Sequence, residues 1–146
     1  MFSDGYTRQT ALASAEKALD PNLTDHDLAQ LAHSEEAMVR AAVAERINTP
    51  LTTLVRLATD VAPAVRAGVA RNQRVDIPIE IREDLAKDKS SEVVFALIAN
   101  PVLPSAILGK LARSRQRDYA TAARKRLSES GGATAKVLGT FGIATN

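Results

Sequence analysis

The sequence predicts an all-α fold, an α-solenoid of about four two-helix repeats. Three observations predict it. The stretch LAHSEEAMVRAAVAER, from Leu31, returns 26 residues later as LATDVAPAVRAGVARN, from Leu57. Leu-Ala pairs recur at Leu31, Leu57, Leu85 and Leu111, spaced 26, 28 and 26 residues apart. The chain is 45% apolar, mostly Ala, Leu, Val and Ile, and its only aromatics are Phe2, Tyr6, Phe95, Tyr119 and Phe141. Ala and Leu are strong helix formers, and self-similarity at a fixed period marks a repeat architecture.

The elements follow in order. Residues 1–20 contain TRQTALASAEKAL, in which Leu12, Ala15 and Leu19 share one helical face, so this segment is expected to be an N-terminal capping helix. Residues 21–127 hold the four repeats. Seven residues before each conserved-phase Leu stands Thr24, Pro50, Pro78 or Pro104, and three residues after it stands Ser34, Asp60, Asp88 or Ser114. Thr24 with Asp27 reads as a capping box, and Thr49 as an N-cap with Pro50 at the first helical position. The first segment of the second repeat places Leu51, Leu54 and Leu57 on one face, and the second places Val65 and Val69 there. Val39, Val65, Val93 and Tyr119 share one register position, and Val43, Val69, Leu97 and Ala123 another. Asn72 and Asn100 read as left-handed C-terminal caps, with Arg46 and Arg126 closing their helices differently. Helices this short are marginal alone, so the repeats must stack. From Ser128 the sequence SESGGATAKVLGTFGIATN is expected to be a flexible tail, with Gly131-Gly132 as a linker. Its apolar residues Val137, Leu138, Phe141 and Ile143 are expected to fold back on the last repeat, ahead of docking on a partner or a second copy.

Units such as NTPLTTLVRLATDVAPAVRAGVARN resemble the variant leucine-rich repeat. Its units share N-T-P, then L-x-x-L-A, then D, then V-R-x-A-V-A-x-N. The resemblance spans about residues 18–127 and is strongest over 47–72. In the third repeat Val94 stands for Arg and Ile98 for Ala; in the fourth, Ala120 stands for Arg. The resemblance implies a right-handed superhelix in which α-helices alternate with short 3₁₀ helices. HEAT-like pairs of α-helices are the alternative. The family has no shared catalytic motif, and the cysteine-rich metal cluster of some relatives cannot exist in a chain without cysteine.

The absence of cysteine also excludes disulfides, thiolate metal sites and cysteine nucleophiles. His26 and His33, seven residues apart, lack convergent ligands and read as surface residues rather than metal or catalytic groups. No cofactor and no enzymatic activity are expected. MFSDGYTRQT lacks a basic region followed by an apolar run, and no apolar stretch reaches membrane-spanning length. The expectation is a soluble cytoplasmic protein without membrane contact.

Charge is unevenly spread. Residues 1–46 carry net −4, residues 47–100 net zero and residues 101–146 net +6. Lys110, Arg113, Arg115, Arg117, Arg124, Lys125 and Arg126 lie within 17 residues, opposed only by Asp118. They form a candidate partner-binding patch that either contacts phosphates or serves as a solvated or protein-contacting cap. The third repeat carries a two-residue insertion within Gln73–Asp76. Solenoid insertions often decorate a binding face, so Arg71 and Arg74 join the candidate partner-binding set; the alternative is a neutral difference in loop length. Arg40 and Arg66, one repeat apart, either contact a ligand or pair with acidic or carbonyl groups of the adjacent repeat, as such arginines more often do. The function expected is non-catalytic macromolecular binding, with protein as the partner through the concave face and loop edge. The alternative is DNA- or RNA-backbone binding by the basic C-terminal repeat.

Overall fold

The computed structural model describes residue 13 and residues 15–140, with side chains as far as residue 131. All regular structure among these residues is helical: a turn of helix at 15–18, then α1 (Asp25–Leu31), α2 (Ala37–Glu45), α3 (Leu51–Leu57), α4 (Pro63–Arg71), α5 (Ile79–Ala86), α6 (Ser91–Ala99), α7 (Ser105–Ala112) and α8 (Arg117–Thr140). The chain divides into two compact units, Met1–Val102 and Leu103–Asn146. The first holds three helix pairs, α1/α2, α3/α4 and α5/α6; the second holds α7 and α8.

Within the first unit the second helices stack directly, α2 on α4 and α4 on α6. Each first helix packs on the second helices instead: α3 touches α2 and α4, and α5 touches α4 and α6. The residues in phase along the sequence meet in this core. Val39, Val43, Val65, Val69, Val93 and Leu97 are buried, as are Leu28, Leu54, Leu57 and Leu85. In the second unit, where α7 packs on α8, Ile107, Leu108, Leu111, Ala120 and Ala123 are buried. Leu31 is only half-buried; Leu28, one turn earlier, is the fully buried leucine of α1.

Both segments of each repeat are α-helical. The 3₁₀ helices that the resemblance implies do not occur among the described residues. Tightening is limited to the helix ends, as after α3, where Thr59 N–H donates to Arg56 O at 3.2 Å and Asp60 N–H to Leu57 O at 3.1 Å, and after α4, where Asn72 N–H donates to Val69 O at 3.1 Å.

The helix starts refine the sequence expectation. Thr24 and Asp27 form the capping box, with the Asp27 N–H donating to Thr24 Oγ1 at 3.1 Å and the Thr24 N–H to Asp27 Oδ2 at 3.0 Å. Pro50, Pro78 and Pro104 are themselves the N-cap residues, so α3 starts one residue later than a Thr49 cap places it. Thr49 is not a cap. It is fully buried, and its hydroxyl donates to Val43 O at 2.6 Å, closing the turn after α2. Ser34, Asp60, Asp88 and Ser114 bond the N–H two residues on (Glu36, Ala62, Ser90 and Gln116), which sets the turn from first to second segment.

The tail also differs from expectation. The α8 backbone runs on through Gly131 and Gly132 to Thr140, where the sequence places a linker and a flexible tail. Glycine lowers helix propensity but, unlike proline, blocks no backbone hydrogen bond. The expected fold-back of Val137, Leu138, Phe141 and Ile143 lies outside the described side chains.

Two helical glycines have opposite meanings. A Cβ on Gly68 would lie 2.8 Å from Ala41 O and 2.9 Å from Ala44 Cβ, so α4 approaches α2 at glycine distance. A Cβ on Gly109 would meet nothing within 4 Å. Gly68→Ala is expected to destabilise by about 1–3 kcal/mol through overpacking, although helix propensity alone favours alanine. Gly109→Ala is expected to stabilise by about 0.5–1 kcal/mol. Urea unfolding midpoints of the two variants check the opposite signs.

Candidate binding surfaces

What surface remains for a partner depends on which polar groups the fold itself consumes. Two side-chain ladders tie the repeats of the first unit together. On one edge, Arg40 Nε and Nη2 donate to Asp60 Oδ2 and Oδ1 at 2.8 and 3.0 Å, while Nη1 donates to Ser34 O at 2.8 Å. Arg66 repeats the arrangement on Asp88 at 2.7 and 3.1 Å, with Nη1 on Asp60 O at 2.7 Å. Each guanidinium thus holds its own turn and the carboxylate of the next repeat. Arg40 and Arg66 are structural arginines, the second of the two alternatives left open by the sequence.

On the other edge, Asn72 Nδ2 donates to Ala44 O at 2.9 Å and Arg46 O at 2.8 Å, and Asn100 Nδ2 to Ala70 O and Asn72 O at 2.9 and 2.8 Å. These asparagines do not adopt left-handed caps: Asn72 has φ −62° and Asn100 φ −72°. They stand there because a buried amide can satisfy carbonyls of the preceding repeat. Arg46 plays the same part with a longer arm, its Nη1 donating to Ala18 O and Asp20 O, both at 2.7 Å. Its backbone matches that of the asparagines, so this helix end closes like the others.

The insertion is part of this layer. Arg74 Nε and Nη2 reach Asp76 at 2.5 and 3.1 Å, and Nη1 donates to Thr49 O at 2.6 Å. All three guanidinium nitrogens are therefore occupied within the protein. Arg82 completes the layer. It is buried at the register position of Leu28, Leu54 and Leu108, and its Nη2 and Nη1 donate to Arg74 O at 2.6 Å and Val102 O at 3.2 Å. Burial lowers its pKa, yet two carbonyls receive the cation. The inserted loop supplies one of them. An arginine in a leucine phase, beside an insertion, was the sequence signal for this linkage.

Arg71 differs. It is exposed, makes no hydrogen bond or ion pair among the described residues, and lines a cavity of about 240 Å³ with Glu45, Gln73, Ala96, Ala99, Asn100 and Pro101. A second cavity, about 520 Å³, is lined by His33, Arg56, Thr59 and Val61 beside the Arg40–Asp60 pair. There Arg56 lies against the His33 ring. Among the described residues no cluster of three His, Asp or Glu side chains could hold a metal ion, and no helix is long and apolar enough to cross a membrane.

In the second unit the basic residues fall as follows. Lys110 sits in the last turn of α7, Arg113 at its C-cap, Arg115 in the turn, and Arg117 opens α8, with Arg124, Lys125 and Arg126 two turns further on. Arg126 is half-buried; the other six are exposed. Lys110 and Arg126 have interactions within the protein. The side chains of Arg113, Arg115, Arg117, Arg124 and Lys125 have no hydrogen bond or ion pair among the described residues.

No family model, curated protein or solved structure matches this chain.

The Arg–Asp ladder sets two predictions. Asp88→Ala leaves two donors of a nearly buried guanidinium without their carboxylate and is expected to destabilise by about 3 kcal/mol; Asp76→Ala, whose pair is open to solvent, by under about 1 kcal/mol. Chemical denaturation of both variants separates the two cases.

The second is a pH dependence. The Arg66 hydrogen bonds, acting against burial, hold Asp88 below the usual 3.8. Burial pushes Asp60 up, but the Arg40 hydrogen bond, the Ala62 N–H and the charges of Arg40 and Arg66 together bring it below 3.8. Carboxylates depressed in the folded state bind fewer protons than in the unfolded state. Their stabilisation is therefore complete above pH ~5 and is lost as pH falls through 4 and below. Melting temperatures between pH 7 and 2.5 are expected to fall in that window, and to fall less for Asp88→Asn.

Proposed function

We propose that this chain is a non-catalytic scaffold that binds a protein partner on its first unit. The observation that carries this reading is a rigid loop edge bearing exposed apolar side chains. Ile47 and Val75 are 63% and 83% exposed. Their loops are joined by the bond from Arg74 to Thr49 O and fixed by the Asn72 bonds to Arg46 O and the Arg74 N–H. Protein interfaces take most of their energy from a few well-packed anchors, and pre-ordered loops reduce the entropy lost on docking. Arg71, with no hydrogen bond or ion pair among the described residues and beside a cavity of mixed polar and apolar lining, supplies a charged contact for an acidic side chain of the partner. The stacked second helices add the exposed Met38, Ala64 and Ala99. The resemblance to a repeat family used as binding scaffolds accords with this reading.

The test is capture from nuclease-treated cell extract on the immobilised full chain, followed by quantitative mass spectrometry. A protein retained by the native chain is expected to be lost, about tenfold or more, on Ile47→Asp with Val75→Asp, and weakened by Arg71→Glu. Both aliphatics are exposed, so the melting temperature should not change. A captured set that is indifferent to all three substitutions overturns the proposal.

A further inference from the structure

The arginines of the two units are used differently. In the first unit, six of the seven described arginines (Arg40, Arg46, Arg56, Arg66, Arg74 and Arg82) are engaged by a carboxylate, a carbonyl or a histidine ring. In the second, Arg113, Arg115, Arg117 and Arg124 are exposed and without partners among the described residues, and Lys125 stands beside them. The fold does not require these cations. Arg117 even opens a 24-residue helix, at the end where the macrodipole favours anions, and Asp118 is the acidic residue of that turn. A solvated cap needs mixed charge; here five cations without partners among the described residues share their stretch with one carboxylate, Asp118.

The surface also lacks what a protein interface needs. Among the described side chains the exposed large apolar residues, including Met38, Ile47, Val61 and Val75, belong to the first unit. Among the described side chains of the second unit no large apolar residue is exposed, so there is no anchor for a protein hot spot. Among its described side chains the one aromatic is Tyr119, which is half-buried and does not form the row of stacking faces with which single-strand binders hold bases. Arg117, Thr121 and Arg124 follow one helical stripe, and all are exposed. Seven residues of helix span about 10 Å, the axial reach of about three phosphates on one strand of a duplex. Guanidinium groups suit phosphate because their forked donors bond two oxygens at once.

We infer that the exposed basic surface formed by Arg113, Arg115, Arg117, Arg124 and Lys125 binds the phosphate backbone of duplex nucleic acid without reading its sequence. The inference is independent of protein binding by the first unit.

Fluorescence anisotropy of two labelled 20-base-pair DNA duplexes of unrelated sequence tests it, with the full chain between 50 and 200 mM salt. Both duplexes are expected to bind alike, with about a hundredfold loss of affinity across that range, as four or so phosphate contacts require. Arg117→Gln with Arg124→Gln is expected to weaken binding about tenfold or more at 50 mM salt and to flatten the log–log salt slope by about two. Asp118→Asn should tighten it. Arg113→Gln with Arg115→Gln, which lies in the turn rather than in α8, provides a second loss variant should the first melt early. Lys87→Gln with Lys89→Gln removes equal charge from the first unit and should change affinity less than twofold. Absence of duplex binding at 50 mM salt overturns the inference. So does an equal loss from the Lys87/Lys89 variant, tighter binding of the corresponding single strand, or equal competition by poly-glutamate of matched charge, which would assign the face to an acidic protein.

Discussion

The first unit depends on one recurrent contact: a guanidinium that serves two repeats at once. Arg66 closes the Asp60–Val61 turn of its own repeat through Nη1, and grips the Asp88 carboxylate of the following repeat through Nε and Nη2. Asp88 in turn orders its own turn through the Ser90 N–H. No helix of seven to nine residues is stable alone in water. The apolar faces supply most of the driving force, but they fix only that the helices stack, since a stripe of Val, Leu and Ala tolerates sliding. The forked Arg–Asp pair admits one register, because both oxygens and both nitrogens must meet. On the opposite edge the Asn72 and Asn100 amides do the same with backbone carbonyls.

Much of this was legible in the chain. The phase of the leucines and valines gave the helix pairs and most of the core, because burial in a stacked array must recur with the repeat. The Arg40 and Arg66 ladder was legible for the same reason. What escaped was the purpose of individual polar residues. Asn72 looks like a left-handed cap because asparagine tolerates that conformation, whereas its side chain spans to a carbonyl 28 residues earlier. Thr49 looks like an N-cap because it precedes a proline, yet its hydroxyl turns back to Val43 O. Local sequence shows which groups can donate, not which distant carbonyl needs a donor. The basic cluster of the second unit stands on its surface as composition suggested, apart from the half-buried Arg126. Of the insertion pair, only Arg71 keeps its charge available, since Arg74 is held by Asp76 and Thr49 O.

The ladder also explains a correlation internal to the sequence. Aspartate stands in the turn of the second and third repeats, Asp60 and Asp88, and each follows a repeat that carries the arginine. Ser34 stands in the first repeat, and Ser114 in the fourth, where the third repeat has Val94 in place of arginine. The hydroxyls keep the local turn, bonding the N–H of Glu36 and Gln116. They forgo only the charge that a guanidinium would have required.

Arg82 carries a consequence for how such a chain diverges. Repeats that differ only on their surfaces can be duplicated, deleted or exchanged, because each presents the same contacts to its neighbours. The third repeat cannot. Its buried cation occupies a leucine slot and donates to two carbonyls, Val102 O and Arg74 O, the second in the preceding loop that is two residues longer. Shortening the loop strands the charge, and restoring leucine strands the loop carbonyl. Loop length and arginine are therefore coupled, and a change in either one alone is expected to cost stability that the two together keep.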